Sequence, residues 1–196
     1  MNKIVNVKEK KAFFRKMFLL KFLSLLRIKI IINYKDKLYS DSKGKHPKEI
    51  EEIVKVLDIL NTKKRKEKYS LIYDYACDYL DNEFNCHNWC DFKNNMCVCN
   101  RAKAKEYQIS SCCTRWSTKE TCKYFDDSKK RCGIRCLSCK IFVCFYLAKR
   151  KIKYRVNDVI YLKYFLSIRQ KIIAGYSYFH TKEEIINKWL KFYKLP

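Results

Sequence analysis

CCTRWSTKETCKYFDDSKKRCGIRCLSCKIFVC, residues 112–144, spaces its cysteines as Cys112-Cys113-x8-Cys122-x9-Cys132-x3-Cys136-x2-Cys139-x4-Cys144. Cys77, Cys86, Cys90, Cys97 and Cys99 precede it, so all 12 cysteines fall between residues 77 and 144. Around them, residues 82–135 carry little periodicity and much Asn, Lys, Asp and Ser. A span of that length without a helical or strand pattern is uncommon in a compact domain unless something besides apolar packing orders it. Thiolate ligation of a metal supplies such order. The expectation is therefore a loop-rich cysteine module inside a mainly α protein.

The rest of the composition favours helices. A chain of 196 residues suffices for one domain or two small ones. Its 48% hydrophobic and 15% aromatic content excludes a disordered chain, which could not offset its ordering entropy. Only 3 Gly and 2 Pro are present, few for an all-β protein that needs a tight turn between strands. The net charge is +24, with 20 basic against 9 acidic residues in 1–76, 12 against 8 in 77–144 and 12 against 3 in 145–196. Such an excess attracts phosphate-bearing partners or an anionic membrane surface, and it also keeps a chain soluble. Each zinc held by four thiolates would carry a formal negative charge that lowers the total.

A cytoplasmic location is expected. Met17 to Ile32 is apolar, but Lys21, Arg27 and Lys29 interrupt it and no small-residue cleavage site follows. The run is also too short and too charged to span a bilayer. In a reducing compartment, clustered cysteines are metal ligands more often than disulfides. The vicinal Cys112-Cys113 weighs further against pairing, because adjacent cysteines make strained bridges.

Taken in order, residues 1–46 are expected to form a basic N-terminal helix, over 8–32, and a linker. Its Phe13, Phe14, Met17, Phe18, Leu20, Leu25 and Ile28 either seat on the chain or lie in a membrane interface, and packing is the favoured outcome. Residues 47–83 read as a helical hairpin. Ile50, Ile53, Val54, Leu57 and Leu60 keep the spacing of one buried face in its first helix, and Leu71, Ile72, Tyr75, Ala76 and Tyr79 do so in its second. Cys77 fits there as a small core residue. Residues 84–150 form the cysteine-rich module, ending in a helix over 136–150. Residues 151–196 give C-terminal helices packed on it: one from Asn157 to about Ala174, stopped by Gly175, and one launched by the Thr181–Glu184 capping box.

The candidate metal ligands are Cys90, Cys97, Cys112, Cys113, Cys122, Cys132, Cys136, Cys139 and Cys144. Structural zinc needs four deprotonated N or S ligands, usually arriving as close pairs. The only histidines are His46, His87 and His180, so any zinc site is mostly cysteine. Cys136-x2-Cys139 alone has the usual knuckle spacing. No catalytic residue stands out: there is no P-loop, no GxGxxG and no HExxH, and the scattered histidines give no Cys-His dyad.

Residues 112–144 resemble bacterial zinc/iron-chelating cysteine-cluster proteins. The similarity lies in the vicinal Cys112-Cys113, in Cys122-Lys-Tyr-Phe125 with Cys132 beyond it, and in Cys139-Lys-Ile-Phe142-Val-Cys144. The chain departs from that family in lacking a Cys-x-x-Cys-Gly before the vicinal pair, in Cys136-Leu-Ser where Arg-Pro is usual, and in Lys140 where Arg is usual. The resemblance implies a metal-chelating helical domain. A second resemblance is the Cys132-x3-Cys136-x2-Cys139 spacing, similar to the triad by which radical SAM enzymes hold a [4Fe–4S] cluster. The 57 residues after Cys139 are mostly helical and do not build the barrel those enzymes use. Zinc is the expected cofactor, and an iron–sulfur cluster is the alternative.

Nucleic acid is the rival partner. Lys129-Lys130-Arg131, Arg135, Lys140 and the basic residues of 149–155 flank the cluster, and Trp116, Tyr124, Phe125 and Tyr154 offer stacking rings. A weak membrane-surface contact through residues 8–32 ranks after it.

Overall fold

The computed structural model describes residues 1–87, 92–93, 96–97, 124–126, 128, 131–143 and 145–192. It divides into two compact units, Met1–Tyr75 and Ala76–Pro196. Helices predominate among the described residues, and a three-stranded sheet stands beside them. None of the described helices is long and apolar enough to cross a membrane.

The first unit corrects the reading of residues 1–46. β1 (Asn2–Asn6) lies parallel to β2 (Lys29–Tyr34), from Asn2 opposite Lys29 to Asn6 opposite Asn33. Parallel neighbours need a crossover, and two helices supply it, α1 (Lys10–Arg15) and α2 (Met17–Leu25). A left-handed Arg27 (φ 58°) follows α2. The β-branched run Ile30-Ile31-Ile32 then extends, because its crowded χ1 favours a strand. Ile30 and Ile32 are fully buried on one face of it. β3 (Lys37–Tyr39) pairs antiparallel with β2 across a two-residue turn. Lys35 (φ 49°) and Asp36 (φ 61°) are both left-handed there, the backbone of a tight hairpin that matches strand twist.

The expected helical hairpin begins with one 3-10 turn, Lys48–Ile50, and α3 (Glu51–Asn61). Ile50, Ile53, Val54, Leu57 and Leu60 are all buried, as their spacing predicts, and Val56 and Ile59 join them. α4 (Arg65–His87) follows after a short joint and passes through the division between the units. In the first unit it buries Tyr69, Ile72 and Tyr73, while Leu71 and Tyr75 stay half-buried; the buried stripe is rotated from the one expected. The Tyr75 hydroxyl donates to Asp58 Oδ2 at 2.5 Å, fixing α4 against α3. Asn61 closes the sheet. Its Oδ1 accepts from the Ile30 amide at 2.9 Å, and its Nδ2 donates to the Ile30 carbonyl at 2.9 Å and the Ser40 carbonyl at 3.0 Å.

The second unit takes the remainder of α4, where Ala76, Cys77 and Leu80 are buried. Two short antiparallel ribbons follow: β4 (Phe92–Lys93) with β5 (Met96–Cys97), and β6 (Phe125–Asp126) with β7 (Arg131–Cys132). The helix expected over 136–150 is instead α5 (Leu137–Ile141) and α6 (Phe145–Lys149), parted at Phe142, whose backbone is extended. The helix expected from Asn157 is likewise divided, into a 3-10 turn (Val156–Asp158), α7 (Ile160–Phe165) and α8 (Ile168–Tyr176). Ser167 causes the second break. Its side chain caps the Gln170 amide while Gln170 reaches back to the Ser167 amide, a reciprocal pair that starts a new helix. The interruption changes the phase: Ile168 is 80% exposed, whereas Tyr161, Leu162, Leu166, Gln170 and Ala174 face inward. α8 also runs past Gly175, where a Cβ would meet Val156 Cγ2 at 3.3 Å.

α9 (Lys182–Lys191) starts at Thr181 through the expected capping box and buries Ile185, Ile186 and Trp189. Gln170 Nε2 donates to the Trp189 carbonyl at 3.0 Å, and Trp189 Nε1 donates to the Gln170 carbonyl at 3.1 Å. That exchange satisfies two buried polar side chains and fixes the register of α8 on α9.

Candidate functional site

The structure brings two of the candidate ligands together, Cys136 and Cys139. Cys136 is the residue before α5 and Cys139 lies in its first turns, so the x2 spacing places both thiols at one end of the helix. Cys136 is buried and Cys139 half-buried, and both are thiols. The Cys139 side chain hydrogen-bonds to the Cys136 sulfur, and the main-chain N–H groups of Cys139, His180 and Phe179 are directed at the same atom. These donors, Cys139 foremost, outweigh burial and hold the Cys136 thiol well below its ordinary range. While protonated, Cys136 Sγ donates to the Ser177 carbonyl at 3.5 Å.

The turn between α8 and α9 is thus the other wall of the site. Phe179 there is left-handed (φ 61°), the kind of kink that aims successive amides into one concavity. Tyr178 packs edge-on against Phe142, with ring centroids 6.0 Å apart. Burial first, then the negative charge of the nearby sulfurs, raises the Tyr178 phenol. The His180 imidazole is engaged elsewhere: Nε2 lies 2.8 Å from Lys188 Nζ, and Nδ1 lies 2.8 Å from the Tyr178 carbonyl. Ammonium only donates, so Nε2 accepts and Nδ1–H donates.

The second half of α4 anchors the segment that carries the pair. Cys77, fully buried as a small core residue should be, donates its thiol to the Arg135 carbonyl at 3.4 Å. Arg135 is left-handed (φ 49°) immediately before Cys136, and its guanidinium bonds Asp78 at 2.5 Å and Asp81 at 3.4 Å. Lys140 also pairs with Asp81. Ser138, buried between the two cysteines, donates to the Ala174 carbonyl at 2.7 Å and ties α5 to α8.

Cys97 falls on β5 opposite Phe92, and Cys132 on β7 opposite Phe125. Cys90, Cys112, Cys113, Cys122 and Cys144 lie outside the described residues, as does Trp116. Among the described residues, no three His, Cys, Asp or Glu side chains converge as a group able to hold a metal. The contribution of Phe179 and His180 was not legible in the sequence, because main-chain amides carry no residue signature. Comparison with known protein families, curated proteins and solved structures finds no match.

Proposed function

We propose that this chain is a metal-binding cysteine-cluster protein, with Cys136 and Cys139 as one ligand pair of a zinc or iron–sulfur site. What supports the reading is the Cys136 sulfur: buried, met by a thiol and by three main-chain N–H groups, and so stabilised as a thiolate. Thiolate is the form that binds soft cations, and N–H donors to sulfur tune both zinc and iron–sulfur centres. The donor chemistry therefore fits either metal. The remaining ligands come from Cys90, Cys97, Cys112, Cys113, Cys122, Cys132 and Cys144, in keeping with the resemblance of residues 112–144 to cysteine-cluster proteins. Bound there, the metal would supply order to the module, and no catalytic role is assigned to it. A cytoplasmic, reducing location belongs to the same reading, since it keeps the thiols available.

The nucleic-acid alternative draws less support from the described residues. Arg135 and Lys140, two cations that flank the cluster, are committed to Asp78 and Asp81. The Tyr154 hydroxyl donates to Glu83 at 2.8 Å.

Elemental analysis and a visible spectrum of anaerobically purified protein test the proposal. Zinc gives a colourless stoichiometric metal, and an iron–sulfur cluster absorbs near 400 nm, an order-of-magnitude position for sulfur-to-iron charge transfer. Cys139→Ser is expected to lower metal content and helicity together. Metal-free protein with undiminished helicity would overturn the structural role.

A further inference from the structure

α2 is apolar on two sides, and only one of them is used. Met17 and Leu20 enter the core, and Ser24 Oγ donates to the Leu60 carbonyl at 2.5 Å. At 3.6 residues per turn, Phe18, Leu19, Phe22, Leu25 and Leu26 occupy an arc of about 120° centred opposite those contacts. All five are exposed; Phe18 is 88% and Leu25 73% exposed. Single exposed apolar side chains are ordinary, but five along one short helix and the residue that caps it make a patch.

The rim of that patch is of one sign. Lys11, Arg15 and Lys16 precede it, Arg27 and Lys29 follow it, and all are exposed. No acidic residue occurs between Glu9 and Asp36. The geometry points to an anionic lipid surface as the partner of α2: Phe18, Phe22 and Leu25 enter the headgroup–acyl boundary while the flanking cations meet lipid phosphates and carboxylates. A second copy of the chain is disfavoured, because apposing two such faces brings two basic rims together in a protein of net charge +24. Nucleic acid stacks on aromatic rings, and three of the five patch side chains, Leu19, Leu25 and Leu26, have none. The contact is peripheral, as α2 is only 9 residues long.

Co-sedimentation of the full chain with phosphatidylcholine vesicles, with and without roughly 30 mol% phosphatidylserine, tests the assignment. The variant is Phe18→Glu/Leu25→Glu; Ile168→Glu/Ile172→Glu, likewise exposed and equally charged but far along the chain, is the control. Circular dichroism of both should match the parent, because all four side chains are exposed. Binding to the anionic vesicles is expected to weaken at least about tenfold in the α2 variant and to stay within about twofold in the control. Equal binding by both variants would assign the attraction to net charge alone and overturn the proposal. So would absence of binding by the parent, or a parent dimer that Phe18→Glu/Leu25→Glu converts to monomer on gel filtration.

Discussion

Asp58 gathers three donors onto one carboxylate. Ser42 contributes its amide at 3.1 Å and its hydroxyl at 2.5 Å, and Tyr75 contributes its phenol at 2.5 Å. Burial, with the bond to Asp58 next in weight, pushes the Tyr75 phenol up to about 12. The folded value lies above the ordinary value of 10, so the associated stability is fully present below pH 10 and drains away as pH rises through 12. Tyr75→Phe should therefore cost about 1.5–3 kcal/mol at neutral pH, the scale of a hydrogen bond to a charged group. It should also flatten the alkaline limb: parent and variant denaturation midpoints converge between pH 10 and 12. Parallel curves across that window would show that the phenol does not titrate with folding. Donors also gather on Cys136, where the Cys139 side chain leads and the others are backbone N–H groups. A reading from residue types finds Asp58 or Cys136 and misses the donors that converge on each.

At the scale of elements, Asn61 shows how a helix end completes a sheet. β3 pairs with β2 only over Ile32–Tyr34, which leaves the Ile30 amide and carbonyl to the Asn61 side chain. Asn61→Ala removes both bonds at once, together with the bond to the Ser40 carbonyl, and should destabilise the first unit by about 3–6 kcal/mol, three unsatisfied backbone groups' worth. Asn61→Asp, which keeps the acceptor but not the donor, should cost less in a urea titration; equal losses would mean that the bond accepted from the Ile30 amide contributes nothing. The elements legible in advance were those whose signals are local and redundant. α3 carries periodic apolar residues behind Glu51 and Glu52, and α9 follows a capping box. Elsewhere tertiary context decided. The apolar run that feeds both α2 and β2 reads as one helix until Ile30-Ile31-Ile32 finds β1 to pair with. The hairpin at Lys35-Asp36 has no glycine or asparagine to announce it, although aspartate tolerates the left-handed backbone. Ser167 looks like an ordinary helical serine unless Gln170 is seen to reach back to it.

At the scale of the molecule, the division between Tyr75 and Ala76 separates a unit without cysteine from one that holds them all. All 12 cysteines belong to the second unit, since Cys77 is the first of them. The first unit is closed by Ile30, Ile32, Phe13, Leu20 and the faces of α3, with no thiol among them. If metal ligation orders the cysteine module, its removal should act on one unit alone. The tryptophans report that selectively: Trp89, Trp116 and Trp189 all lie in the second unit. A strong chelator is expected to shift tryptophan emission and to accelerate amide exchange in α5, α8 and α9, because structural zinc contributes on the order of 10 kcal/mol or more to the fold that holds it. Amides of α3 should keep their protection at the same chelator concentration. Loss of protection in α3 in step with the tryptophan change would mean that folding is cooperative across α4 and that the two units are not energetically separate. Unchanged emission and exchange throughout would mean that apolar packing, with the Gln170–Trp189 exchange and the Ser138 and Arg135 ties, holds the second unit without a metal.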